Sequence, residues 1–362
     1  MKNQLFGLLL VGLLWLPVVA QKAEKPKLAA AEPTAAQKTL IQEGIALHDS
    51  RKYDQAIEKY QTVLDENPDC TRAMYEMALS YHSKGDLEKS IEIASKGIKY
   101  TGPELPMFYI LIGNTWDEQG NPQKSLEIYQ DAIKVLKDDK ENTRALGSVY
   151  YNMGVTYVGL KQYKEAREAM KKAVESNFGY GSPNFVLGVL FEGGEYKVPA
   201  MLAAARLISL ELNTARTKRS VGIFLKPLQS AKKDEKTNSI NIYINMNAPK
   251  DEGDYSVYEL LLGTLMTVKA DQDDKKTEEE IFASAVETLI GILADDKKLK
   301  STFVGRNYVP FMTEMKRLGY AKIFAYLVLQ QNGNETAEKW LTDNAKKTLE
   351  FLEWAKTYSP PK

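Results

Sequence analysis

The sequence predicts an all-α protein in which a solenoid of helical hairpins is followed by a C-terminal helical bundle. A small residue followed three places later by a large one recurs at Gly44, Ala78, Gly113, Gly154 and Gly188, with spacings of 34, 35, 41 and 34 residues. Apolar residues at helical spacing run through most of the remaining chain, as at Leu261, Leu265 and Val268. Period-two alternation is confined to Ile240, Ile242, Ile244 and Met246 before Pro249, a strand pattern with no evident partner in the sequence.

The first element reads as an export signal. Lys2 precedes an uncharged apolar run from Leu5 to Val19, and Val18-Val19-Ala20 supplies the small-residue cleavage site before Gln21. Cleavage after Ala20 and a periplasmic or secreted destination are expected. The run falls short of a helical membrane span and no later segment reaches that length, so no transmembrane segment is expected after cleavage. A lipid-modified start would need a Cys at the cleavage point, and the single Cys is Cys70. That count leaves no internal disulfide, so stability rests on buried apolar surface. Cys70 reads as a small core filler, with only Arg72 nearby to activate a thiol.

Charge excludes one class of partner. Basic and acidic residues number 48 each and are interspersed, whereas nucleic-acid binding needs a concentrated basic face. Residues 21–36, rich in Ala, Lys, Glu and Pro without an apolar period, read as a flexible linker.

The hairpins follow from residue 37. The first has the order Leu40, Gly44, Leu47, Tyr53, Ala56, Tyr60 and Pro68. The third has Tyr109, Gly113, Trp116, Ser125, Tyr129 and Ala132; the fourth has Tyr150, Gly154, Tyr157, Tyr163, Ala166, Met170 and Ala173. The second is weaker, with Ser90, Ala94 and Gly97 all small, and the fifth is complicated by Gly193-Gly194 and Pro199. This order resembles the tetratricopeptide repeat, whose period is 34 residues. The resemblance covers about residues 37–213. It implies antiparallel helix pairs that approach where small residues face each other and that bury their faces only by stacking. The additional seven residues around Lys137-Asp138-Asp139-Lys140-Glu141 read as a longer second helix or a surface loop.

The resemblance also implies a concave groove lined by Ile41, Ile45, His48, Tyr75, Leu79, His82, Ile110, Asn114, Asp117, Tyr151, Val155, Phe185 and Glu192. Mixed aromatic, apolar and polar side chains suit an extended peptide or a helix laid along the groove. The alternative is that Tyr75, Tyr151 and Phe185 pack between hairpins.

Little else points to chemistry. His48 and His82, the only histidines, occupy equivalent positions of the first two hairpins. Helix axes 8–10 Å apart and no third ligand beyond Asp49 or Asp117 argue against a shared metal ion, so neither metal nor cofactor is expected. Two histidines give a nucleophilic triad little to draw on. Gly179, Gly181, Gly193 and Gly194 spell no phosphate loop and read as turns. Asn334-Glu335-Thr336 matches a glycosylation acceptor and doubles as a helix cap.

A further helix reaching about Lys232 caps the array, giving a 37–232 repeat domain and a 233–362 C-terminal domain. Residues 232–238 read as a polar break. About five helices follow: one through Leu261, one through Phe282, Ala285, Leu289 and Leu293, and a third with Pro310 in its first turn and Gly319 at its end. A fourth runs from Ile323 to Leu329, and a last one capped by Asn334 carries Leu341, Ala345, Leu349, Leu352 and Ala355. The expected function is an exported scaffold of a bacterial cell envelope that binds protein or peptide partners and catalyses nothing. Two alternatives stand beside it: glycan capture by stacking on Tyr75, Trp116 or Tyr151, and an enzyme in the C-terminal part using Arg306, Tyr308, Glu314 and Lys316.

Overall fold

The structure, a computed structural model, describes residues 25–138, 142–229, 231–234, 239–242, 249–272 and 276–361. The expected export signal lies outside the described residues. Seventeen α-helices occur among them, and the strands are short pairs.

Five antiparallel hairpins come first. They are α1 (Ala35–Asp49) with α2 (Tyr53–Glu66), and α3 (Thr71–Lys84) with α4 (Leu87–Gly97). Next are α5 (Leu105–Glu118) with α6 (Pro122–Leu136), α7 (Thr143–Gly159) with α8 (Tyr163–Ser176), and α9 (Gly181–Gly193) with α10 (Lys197–Leu210). The small residue in each first helix marks where the second helix comes closest. A Cβ on Gly44 would lie 2.4 Å from the Tyr60 ring, one on Gly113 2.4 Å from Tyr129, and one on Gly154 2.7 Å from Met170. The second hairpin, with Ala78 and Ala94, has no such ring of its own; Phe108 from the third hairpin fills the space instead, over Gly97.

The turns repeat as strictly as the helices. Arg51, Gly85, Gly120, Lys161 and Glu195 each have positive φ and each follow the small residue by the same interval. Each donates its N–H to the carbonyl three residues back, as Lys161 does to Val158 O, and the next residue reaches back five, as Gln162 does to Tyr157 O. These paired bonds satisfy the last carbonyls of each first helix. Of the extra residues in the third-to-fourth connection, Lys137 and Asp138 follow the end of α6, and Asp139, Lys140 and Glu141 lie outside the described residues.

The period continues further than the sequence reading carried it. Helix α11 (Ala215–Leu228) places Gly222 34 residues after Gly188 and packs against α9 as a sixth first helix. It ends at Leu228, short of the expected Lys232.

Residues 25–34, expected as part of a flexible linker, are instead laid across the edge of the first hairpins. Leu28 and Ala29 (β1) pair in parallel with Tyr100 and Thr101 (β2), Ala31 N–H bonds Asp69 O, and Lys25 pairs with Asp138. The segment therefore touches three successive inter-hairpin turns; polarity concealed this because its partners are backbone groups.

The polar stretch after α11 also differs from expectation. Ala231–Asp234 (β3) pairs antiparallel with Ser239–Ile242 (β4), so the expected strand has its partner in the segment read as a break. A ladder of main-chain hydrogen bonds carries no apolar signal. Ile244 and Met246 lie outside the described residues.

Six helices follow, one more than expected: α12 (Ser256–Gln272), α13 (Glu278–Asp295), α14 (Phe303–Arg317), α15 (Ala321–Gln331), α16 (Glu335–Asp343) and α17 (Ala345–Thr357). The expected last helix is split because Asn344 turns its side-chain amide back onto Trp340 O. Pro310 lies inside α14, since Thr302 already caps the helix by accepting from Gly305 N–H. Cys70 is fully buried at the start of α3, where burial raises its thiol pKa.

Helix α10 joins the two parts. Almost every side chain from Val198 to Ser209 is buried, and α9, α11, α12, α14, α15 and α17 all pack against it. A helix apolar on all faces belongs inside a core. That core runs without interruption from Met170 to Ala355, past the division expected at residue 232.

Candidate protein-binding groove

The first helices form the inner layer. Helix α1 packs on α3, α3 on α5, α5 on α7 and α9 on α11, whereas α2, α4, α6 and α8 pack on the first helix of the next hairpin. In a two-layer array the layer whose own members crowd together is the inside of the curve.

Polar side chains join neighbours along this layer. His48 Nδ1 and Ser80 Oγ are hydrogen-bonded at 2.8 Å, linking α1 to α3. His82 Nε2 lies 2.9 Å from Glu118 of α5, without the alignment of a hydrogen bond and an ion pair only when the ring is protonated. Thr156 Oγ1 donates to Asp117 at 2.8 Å, linking α7 to α5. Arg216 of α11 donates to Ser182 of α9 and pairs with Glu211, lowering that carboxyl's pKa. Glu192 is held by both Arg219 and Lys226.

These contacts decide what each expected site residue does. His48, His82, Asp117 and Glu192 hold repeat to repeat, and the two histidines point their polar contacts at different partners. Asn114 accepts from the buried Tyr129 hydroxyl at 2.6 Å. Ile41, expected in the groove lining, is only 3 % exposed, because it lies in the core of the first three hairpins. Tyr75 packs edge-on against Phe108, Tyr151 against Tyr180, and Phe185 lies below Arg216. Leu79 is half-buried on the first core. Ile45, Ile110 and Val189 are also half-buried, and Val155 is 42 % exposed at mid-array.

Equivalent positions on the inner layer therefore hold an apolar seam, Ile45, Leu79, Val155 and Val189, interrupted by Asn114. The glycine at 222 places Arg219 and Lys226 of α11 at the end of that seam.

Other candidates are dispersed or blocked. Ser80 beside His48 is fully buried and offers no accessible nucleophile. Tyr308 is buried with its hydroxyl on Asn184, while Arg306 reaches Glu175, Glu314 pairs with Arg317, and Lys316 donates to Glu287 O. The face of Trp116 carries Lys124 at 4.0 Å. Asn334 caps α16 and donates its amide to Glu279.

The tetratricopeptide repeat family matches residues 41–106 and again 147–180. Both stretches fall within the hairpins just described. The array is built of tetratricopeptide repeats. Such an array is a protein-interaction scaffold. The mitochondrial import receptor subunit TOM70 of Rattus norvegicus is 29% identical over 97 residues, 26% of this chain and 16% of the receptor. The CTR9 homolog of Arabidopsis thaliana is 30% identical over 104 residues, 28% of this chain and 10% of that protein. The tetratricopeptide array thus matches a small fraction of each relative's length. Among solved structures, TTC0263 of Thermus thermophilus covers 52% of this chain and 99% of its own, at 17% identity and a TM-score of 0.40. Pseudomonas aeruginosa pilF covers 72% and 93%, at 15% identity and a TM-score of 0.40.

Proposed function

We propose that this chain is an exported scaffold of the bacterial cell envelope that holds a segment of a partner protein against the inner face of its array. The observation that supports this reading is the apolar seam. His48, His82, Asp117 and Glu192 of the inner layer are engaged between hairpins and Asn114 within one, whereas Ile45, Leu79, Val155 and Val189 keep apolar surface towards solvent, with Val155 42 % exposed. Exposed apolar side chains at equivalent positions of successive repeats, here broken once by Asn114 and rimmed by polar groups, are the usual form of a docking surface. The partner gains area from the seam and register from the fixed polar flanks.

The test is crosslinking and affinity purification from the native envelope, comparing the natural chain with Val155→Glu and Leu79→Glu. Partners lost from both variants while the fold is retained support the groove; partners retained by both move binding elsewhere. Export is tested separately, by sequencing the N-terminus of the mature protein. A start at Gln21 supports it, and an intact N-terminus in the cytosolic fraction overturns it.

A further inference from the structure

Helices α8 and α17 end beside each other, next to the first turn of α7. Between their C-termini, the first turns of α14 and the chain's last residues lies a cleft of about 560 Å³, with Phe178 and Tyr358 among its apolar walls. Small-ligand sites have volumes of this order. Its charge is one-sided: Arg144, Arg306 and Lys356 line it against a single acid, Glu175.

Cations beside helix C-termini ordinarily do no more than complement the dipole. Here Arg206 of α10 fills that role from beneath. Its Nε donates to Phe178 O, two residues past the end of α8, at 3.1 Å and its Nη1 to Ala355 O in the last turn of α17 at 2.8 Å. The guanidinium is fully buried, its Nη2 lacks a hydrogen-bond partner, and no carboxylate pairs with it among the described residues. The Phe178 ring, a wall of the cleft, lies over it at 4.3 Å. The dipole ends are thus already met by one buried cation, and the three rim cations are surplus to them. Their pairing with acids is slight. Glu175 is shared between Lys172 at 2.9 Å and Arg306 at 3.7 Å, Lys356 meets only the exposed Glu353, and Arg144 makes no ion pair with a described residue. Arg306 also donates Nη1 to Ser301 O at 2.6 Å, which leaves its remaining N–H groups for a ligand.

We propose that this cleft binds a small ligand bearing two or more clustered anionic oxygens, with Arg144 and Arg306 as its principal contacts. Guanidinium groups suit such a ligand because their planar donors engage paired oxygens. The buried charge of Arg206 adds to the attraction through the low-dielectric wall.

The test is calorimetric titration of the mature chain with pyrophosphate and with citrate at constant ionic strength, repeated on Arg144→Gln and Arg306→Gln. The expected result is saturable binding of at least one probe, weakened about tenfold or more by each variant, with the melting temperature of the unliganded protein unchanged. Preference for pyrophosphate would mark a phosphorylated ligand, and preference for citrate a polycarboxylate. Absence of saturable binding by either probe overturns the proposal, as does affinity that is equal in the natural chain and in Arg144→Gln. Arg144 is exposed and makes no ion pair with a described residue, so that variant remains decisive even where Arg306→Gln disturbs the contact with Glu175.

Discussion

Arg206 and Ala355 are 149 residues apart in sequence and joined by a 2.8 Å hydrogen bond from the guanidinium to the main-chain carbonyl. Together with the bond to Phe178 O, it fastens the last helix to the fourth hairpin through a residue of the fifth. Burial pulls the Arg206 pKa down to about 9, which leaves it charged at neutral pH. Its charge is stabilised by carbonyls and by the rings of Phe178 and Phe311. Replacing it with Met removes the cost of burying a charge but takes the donor from Ala355 O, at about 1–3 kcal/mol, and leaves Phe178 O with only the longer bond from Asn184. Arg206→Met is expected to lose about 1–3 kcal/mol in urea unfolding and to expose α17 to amide exchange before the array.

A second cluster ties the C-terminal part to the outer layer. Arg167 of α8 donates to the Tyr196 hydroxyl at 3.0 Å, and that hydroxyl donates to Asp251 at 2.6 Å; Glu252 accepts from Lys171 at 3.0 Å. The Tyr196 hydrogen bond, aided by Arg167, holds the Asp251 carboxyl below its usual range. A depressed carboxyl contributes stability that is present above its unfolded pKa and lost as pH falls through the folded value. Thermal melts from pH 5 to pH 2 should therefore show a shallower loss in Asp251→Asn than in the natural chain. At neutral pH that variant should be about 1 kcal/mol less stable.

The hairpin turns offer a test of opposite sign. Arg51 and Lys161 hold left-handed backbone where the second and third hairpins use Gly85 and Gly120. Both are exposed, so little packing is at stake. Arg51→Gly and Lys161→Gly should each stabilise by about 0.5–1 kcal/mol, and Gly85→Ala should destabilise by about 1 kcal/mol, read as shifts in denaturation midpoint.

Within a hairpin, Gly113→Ala would drive a methyl into the Tyr129 ring and should cost about 1–3 kcal/mol. Adding Tyr129→Met, the residue the fourth hairpin carries at Met170, should recover part of that loss. A double-mutant cycle with no favourable coupling would show that the two side chains do not limit the approach of α5 and α6.

The repeats were legible because their determinants are local. Gly44 and Tyr60, or Gly154 and Met170, lie within one hairpin, and their spacing survives in the sequence as a period. The same period, extended by one step, would have located α11 through Gly222. The turn positions at Arg51 and Lys161 were concealed because no glycine marks them. Groove residues were legible as positions and not as roles. The sequence placed His82, Asp117 and Glu192 on the inner layer, yet whether each faces a ligand depends on Glu118, Thr156, Arg219 and Lys226 in adjacent helices. The anion-binding cleft left no pattern at all, since Arg144, Arg306 and Lys356 come from separate helices.

By itself the sequence determined the helical character and the five hairpins, because small-to-large pairing and amphipathic period act over fewer than 40 residues. The tertiary structure decided the rest: that Leu28 and Ala29 add to Tyr100 and Thr101, that α10 is enclosed on every side, and that Arg206 belongs to the interior. Those outcomes depend on contacts between segments 70 or more residues apart, as with Leu28 and Tyr100. A lone Arg in an otherwise apolar helix has the same sequence signature whether solvent or two helix ends receive its charge. Only the arrival of α17 and the end of α8 at the same face of α10 settles which.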